Sequence, residues 1–235
     1  MSAPNIKADN EHRQWLWFDA DLWPNGRATE FETFVEETGG EVFGGGRGTV
    51  RRFQLDGQPM IHRHYLRGGM VASLLSDRYL FQGSHRTRSA QEFALMADMY
   101  GANLPVPRPV AAHARQDGLW YRANLVTCEV ENTHTLAQAV IDGSDIDWSA
   151  IGRTISRFHR WGLDHADLNA HNILMNDEGN VFLIDFDRGQ RRARGKWAQG
   201  NLQRLHRSLI KLGAENRIDR FAQSAWRVLR QGYES

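Results

Sequence analysis

Three side chains in the second half of the sequence have the types and spacing of a phosphoryl-transfer centre. Asp167 and Asn172 lie in His165-Ala-Asp-Leu-Asn-Ala-His-Asn172, and Asp185 ends Val181-Phe-Leu-Ile-Asp185. A carboxylate such as that of Asp167 accepts or orients the proton of an attacking hydroxyl. The amide oxygen of Asn172 and the carboxylate of Asp185 are hard ligands of the kind Mg²⁺ prefers, and Mg²⁺ takes few of them from protein. Between them, Asn176-Asp-Glu-Gly-Asn180 has turn composition. Residues 172–175 and 181–184 therefore read as a hairpin that delivers Asn172 and Asp185 to one place. Asp185 alone would pass as an acidic strand end; three residues at three fixed spacings are a far more specific signal.

Other elements must carry the partners of this centre. Phe43-Gly-Gly-Gly-Arg-Gly-Thr-Val50 runs into a strand, Asp56-Gly57 turns the chain, and Met60–Tyr65 returns as a second strand. A glycine-rich loop between strands lets backbone amides approach phosphates without obstruction. Alternation puts Ile61, Arg63 and Tyr65 on one face of the second strand and His62 and His64 on the other. Arg63 is thus the strand cation nearest the loop, and arginine binds phosphate bidentately. Thr87–Tyr100 reads as a helix stopped by Gly101, with Ser89-x-x-Glu92 as a capping box.

Leu104-Pro-Val-Pro-Arg-Pro109 is extended and leads to a strand, and Leu119–Val130 is a further strand running into a connector. Asp147–Gly162 is a buried helix with an aspartate cap and a terminal glycine, on which His159 is a packing or surface residue. After Asp187 come the basic run Arg188–Trp197, a helix marked by Leu202, Leu205, Leu209 and Leu212, and a last helical stretch near 221–229. The first 40 residues are polar with scattered Trp15, Trp17 and Trp23; Phe31–Val35 suggests a short helix, and no function is legible there.

The 235 residues suffice for one large domain or two small ones with real cores. No apolar run approaches a membrane span, and the N-terminus lacks a signal-peptide pattern. A lone cysteine, Cys128, excludes an internal disulfide framework and fits a reducing compartment. The net charge of +1 conceals an asymmetry: from Asp185 onward there are 12 Lys/Arg against 5 Asp/Glu, although the whole chain has 29 against 28. That basic segment points to an anionic partner.

The loop, strand, helix and hairpin together resemble the protein-kinase-like phosphotransferases. More narrowly, Gly48-Thr-Val50, Arg63-His-Tyr65, Leu104–Pro109, His165–Leu174 and Ile184-Asp-Phe-Asp-Arg-Gly189 resemble the 3-deoxy-D-manno-octulosonic acid (Kdo) kinases, over roughly residues 40–212. The resemblance implies an α+β, two-lobed fold, with a small antiparallel sheet in residues 1–130 and a mostly helical lobe in 131–235. It implies ATP and Mg²⁺ as cofactors, Asp167 as catalytic residue, and Asn172 and Asp185 as metal ligands. Gly45, Gly48 and Val50 would form the phosphate loop, and Arg63 would stand where protein kinases carry a lysine. Glu92 would pair with Arg63, and Thr127 and Glu129 would lie on the adenine side.

The implied reaction is phosphorylation of O-4 of a Kdo residue on a lipid A precursor. It would take place at the cytoplasmic face of the inner membrane, with the basic C-terminal segment toward the anionic bilayer and no nucleic-acid partner. Several departures from protein kinases argue against a peptide substrate. Phe43 occupies the first glycine position, Asn169 replaces a lysine, Asp187 replaces the glycine of Asp-Phe-Gly, and the 48 residues after it contain no Ala-Pro-Glu. Two alternatives share these motifs: a heptose or aminoglycoside-type kinase, and a non-catalytic, pseudokinase-like binder of anionic lipid.

Overall fold

The computed structural model describes residues 2–43, 48–66, 77–215 and 221–235. They fall into two compact units: Met1–Ala102 with Pro107–Glu129, and Asn103–Val106 with Val130–Ser235.

The first unit is built on an antiparallel sheet. Its elements are β1 (Ile6–Glu11), β2 (Gln14–Asp19), α1 (Phe31–Glu37), β3 (Glu41–Phe43), β4 (Gly48–Leu55) and β5 (Gln58–Tyr65). They continue with β6 (Tyr79–Leu80), α2 (Arg88–Gly101), β7 (Pro109–Asp117) and β8 (Trp120–Cys128). The strand order is β1-β2-β7-β8-β5-β4-β3, with β6 also on β8. The N-terminal residues are therefore structural: β2 pairs with β7 and sends Leu16 and Phe18 into a core with Phe31, Phe53, Met60 and Val126. Trp23 packs its ring on Phe34 at 4.4 Å. Such integration was illegible because β2 joins the sheet through β7, about a hundred positions away.

Helix α2 buries Phe93, Met96 and Met99. Its N-cap is Thr87 in extended geometry, without a side-chain cap bond. The capping box, the competing reading of Ser89 and Glu92 beside the Arg63 pair, does not form. Ser89 lies inside the first turn, where its hydroxyl donates to the His113 carbonyl at 3.0 Å. Glu92 faces the partly buried Arg63 cation on β5, a stronger partner for a desolvated carboxylate than a cap amide open to water.

The second unit contains β9 (Thr133–Thr135), α3 (Leu136–Asp142), α4 (Trp148–Trp161), β10 (Leu163–Asp164), β11 (Ile173–Asn176), β12 (Val181–Leu183), β13 (Gln190–Arg191), α5 (Trp197–Glu215) and α6 (Phe221–Glu234). The Asp147 carboxylate caps α4 by accepting from the Ala150 N–H at 2.9 Å, and Gly162 ends it at φ 104°. Helices α4 and α6 touch backbone to backbone at Gly152, where an added Cβ would lie 2.0 Å from the Leu229 carbonyl oxygen. Strands β12-β11-β9 form the hairpin sheet and β10 pairs with β13.

Candidate active site

In the first unit, the register of β4 and β5 places Val50 opposite Arg63 and Gly48 opposite Tyr65. Gly45 lies outside the described residues. Arg63 pairs with Glu92 through Nη2, and Glu92 is only 3 % exposed. Strand alternation aims Arg63 at α2, and helix periodicity aims Glu92 back. Thr127, in β8, is paired in register with Ile61 on one side and Pro109 on the other. Glu129 follows β8; its N–H donates to the Pro59 carbonyl at 2.9 Å and its carboxylate accepts from Arg52 at 2.5 Å.

The opposite face of the same strands carries buried polar groups. Asn124 Oδ1 lies 3.0 Å from His62 Nε2 and 2.8 Å from His64 Nδ1, and its Nδ2 lies 3.4 Å from His113 Nδ1. Burial, with lesser help from neighbouring cations, lowers His62 to about 4. Burial, and then Arg115, lowers His113 to about 3.

In the second unit, the loop carrying Asp167 leaves β10 and is fastened at its first residue. His165 is 1 % exposed and bridges three backbone segments. Its N–H donates to Asn201 Oδ1 on α5 at 2.9 Å, its Nε2 donates to the Ile184 carbonyl at 3.1 Å, and its Nδ1 accepts from the Asp167 N–H at 3.2 Å. These partners assign the tautomer with the proton on Nε2. Burial lowers the pKa of His165, against the pull of the Ile184 carbonyl and three nearby aspartates. The ring is thus a neutral spacer that sets Asp167 relative to the exit of β12.

Asp167 itself is exposed. Its backbone carbonyl accepts from Asn172 Nδ2 at 2.9 Å and from Asn169 Nδ2 at 3.1 Å. That bond orients the Asn172 amide, because the nitrogen must face the carbonyl and Oδ1 is left for another partner. The Asn172 carbonyl accepts from the Ile184 N–H at 3.1 Å, which seats Asn172 beside the residue preceding Asp185. Asp185 has φ 62°, in the left-handed region sparsely used by residues other than glycine, asparagine and aspartate. Non-glycine residues in that region cluster where side-chain direction serves function. Among the described residues, no group of three or more His, Cys, Asp or Glu side chains gathers as metal ligands. An amide oxygen and a carboxylate on one hairpin suit a hard, sparsely protein-ligated ion such as Mg²⁺.

Helix α5 braces this loop from behind. Asn201 Nδ2 donates to Asp164 Oδ1 at 3.0 Å, Arg192 pairs with the other Asp164 oxygen at 2.7 Å, and Ser208 Oγ accepts from the Ala170 N–H at 3.1 Å. Neither Asn201 nor Ser208 was singled out from the sequence. The available signal is two polar residues seven apart on a stripe otherwise filled by Leu202, Leu205 and Leu209. Part of the basic run after Asp187 is also structural: besides Arg192, the Arg191 guanidinium lies 4.4 Å from the Trp161 ring centre.

The model of the lipopolysaccharide kinase (Kdo/WaaP) family matches residues 34–233. The chain belongs to that family. Among curated relatives, the 3-deoxy-D-manno-octulosonic acid kinase of Xanthomonas axonopodis pv. citri is 50% identical over 181 residues, 76% of this chain and 73% of the relative. That of Stenotrophomonas maltophilia is 46% identical over 192 residues, 81% and 77% of the two chains. That of Photobacterium profundum is 40% identical over 227 residues, 94% and 95%. A solved structure described as WaaP in complex with acyl carrier protein superposes with TM-score 0.61 at 21% identity, over 92% of this chain and 85% of that one. The fold is accordingly the α+β, kinase-like fold of this family. Among the described residues, no helix is long and apolar enough to cross a membrane.

Proposed function

We propose that the protein transfers the γ-phosphate of ATP to O-4 of a Kdo residue on a lipid A precursor in lipopolysaccharide core assembly. The kinase activity and the Kdo acceptor rest on family membership and on relatives 40–50% identical. The observation in the structure that carries the chemistry is the hydrogen bond from Asn172 Nδ2 to the Asp167 backbone carbonyl, which leaves the Asn172 oxygen for a cation and ties it to the loop bearing the base.

Asp167 accepts a hydrogen bond from the acceptor hydroxyl and aims its oxygen in line with the γ-phosphorus. His165 holds that carboxylate in register and takes no proton itself. Asn172 and Asp185 would hold Mg²⁺, which when bound neutralises charge on the transferring phosphates. Arg63, paired with Glu92, would contact the α/β-phosphates where protein kinases use lysine. Gly48 and Val50, at the start of β4, would border the phosphates together with the preceding glycines of the sequence, Gly45 among them, and the chain at Thr127 and Glu129 would border the adenine.

The lipid-linked acceptor implies work at the anionic cytoplasmic face of the inner membrane. The segment best suited to that surface is α5, whose exposed side carries Arg204, Arg207 and Lys211 opposite its buried leucines.

The test is mass spectrometry of a Kdo-bearing lipid A precursor incubated with protein, ATP and Mg²⁺, beside an Asp167→Asn control. One added phosphate on Kdo, absent in the control, is the expected result. Full activity of the control would refute the role of Asp167. Phosphate appearing only on a heptose acceptor would refute the acceptor, and ATP binding without transfer to any acceptor would refute catalysis.

A further inference from the structure

Glu92 is gripped from two sides, and only one grip belongs to Arg63. Its Oε2 accepts from Arg63 Nη2 and also from the Tyr65 hydroxyl. The same Arg63 nitrogen donates to the Tyr65 oxygen at 3.1 Å. The three groups close a ring in which the phenol accepts from the cation and donates to the carboxylate.

The phenol and the carboxylate of the ring are buried, Tyr65 at 5 % and Glu92 at 3 % exposure, while the guanidinium is partly buried. The Arg63 guanidinium carbon lies 4.7 Å from the Tyr65 ring centre, so the aromatic face also holds the cation. From the start of α2 a second cation, Arg88, lies 5.6 Å from that centre and donates to the Tyr79 hydroxyl at 2.8 Å. Burial, and then the Glu92 charge, push the Tyr65 phenol well above its ordinary pKa of 10.0, so it remains a donor at working pH.

We propose that Tyr65 is a positioning residue for nucleotide binding, whose hydroxyl locks the Arg63 guanidinium against Glu92. The physical need follows from the side chain used. A long arginine opposite one carboxylate keeps several rotamers, whereas a third group bonded to both partners selects one. Placement two residues along the same strand face is what allows a tyrosine to be that group. The inference rests on the assignment of Arg63 to the nucleotide phosphates.

The experiment measures ATP affinity by calorimetry, without turnover, for wild type, Tyr65→Phe, Arg63→Ala and the double variant, with melting temperatures recorded alongside. Phenylalanine keeps the ring and its packing, so Tyr65→Phe removes the hydroxyl alone. We expect Tyr65→Phe to weaken ATP binding on the order of tenfold, the scale of one bond in a charged network. In the Arg63→Ala background the same change should do nothing further, because the group it positions is gone. A purely structural tyrosine would give losses that add in the double variant and that follow melting temperature, and either pattern overturns the proposal. An unchanged ATP affinity in Tyr65→Phe, with a clear loss in Arg63→Ala, also overturns it and leaves the nucleotide role of Arg63 standing. If Arg63→Ala itself binds ATP normally, that assignment falls, and the proposal with it.

Discussion

Replacing Asn201 should damage catalysis from behind the loop that carries Asp167. Asn201 is 5 % exposed and, among its bonds, accepts from the His165 N–H at 2.9 Å and donates to Asp164 at 3.0 Å. In Asn201→Leu the branched shape is kept in a larger, apolar side chain, and both of these bonds are lost. The His165 N–H is then buried without a partner, at a cost of about 1–3 kcal/mol. Asp164 is less deprived, since Arg192 remains on its other oxygen at 2.7 Å and the group is partly open to water; its loss is about 1 kcal/mol. The total of about 2–4 kcal/mol corresponds to a melting point lower by about 5–15 °C for a chain of this size. Measured at a temperature where both proteins are folded, kcat should fall more than the KM for ATP rises, because the loop bearing Asp167 loses its anchor. Asn201→Asp provides the contrast. It keeps an acceptor for His165 but sets a carboxylate against Asp164, so its deficit should grow from pH 5 to pH 8 as the pair loses its shared proton. A leucine variant melting within a degree or two of wild type with normal kcat would refute the bracing argument, as would identical pH dependence of the two variants.

Two further outcomes concern stability. Gly152→Ala should destabilise by at least about 1–3 kcal/mol, because its Cβ would sit 2.0 Å from the Leu229 carbonyl and 2.7 Å from the Tyr233 nitrogen and force α4 and α6 apart. Gly200→Ala, in α5 with nothing within 4 Å, should instead stabilise by about 0.5–1 kcal/mol, and equal effects in urea titrations would contradict the packing argument. Acid should weaken the first unit through His62 and His113, held at about 4 and about 3 when folded but near 6.5 when unfolded. Below pH 6.5 the unfolded chain binds protons that the folded one refuses, so stability is complete above that pH and is lost as pH falls. The loss is about 1.4 kcal/mol per pH unit for each histidine. His113→Gln should reduce the slope of stability between pH 6 and pH 5, and a wild-type stability flat from pH 7 to pH 5 would refute the burial effect.

The sequence alone determined the elements and residues that depend on local rules. The hairpin around Asn176–Asn180, the Asp147 cap, the Gly162 stop and the alternation that turns Arg63 away from His62 all follow from turn chemistry and side-chain periodicity, which act over a few residues. For the same reason Asp167, Asn172 and Asp185 could be picked out by spacing. The tertiary structure alone decided where two local signals conflicted or where partners lay far apart. Glu92 could cap α2 or meet Arg63, and the cation prevailed because a desolvated carboxylate gains more from a charge than from a cap amide. Asn201 read as one more polar residue in a basic helix, and only the fold brings it to His165, 36 positions earlier. Trp15 and Trp17 read as residues that cap some core, and only the pairing of β2 with β7 says which sheet they belong to. Long-range pairings of this kind are selected by burial and by the satisfaction of polar groups over the whole chain, which no local window of sequence contains.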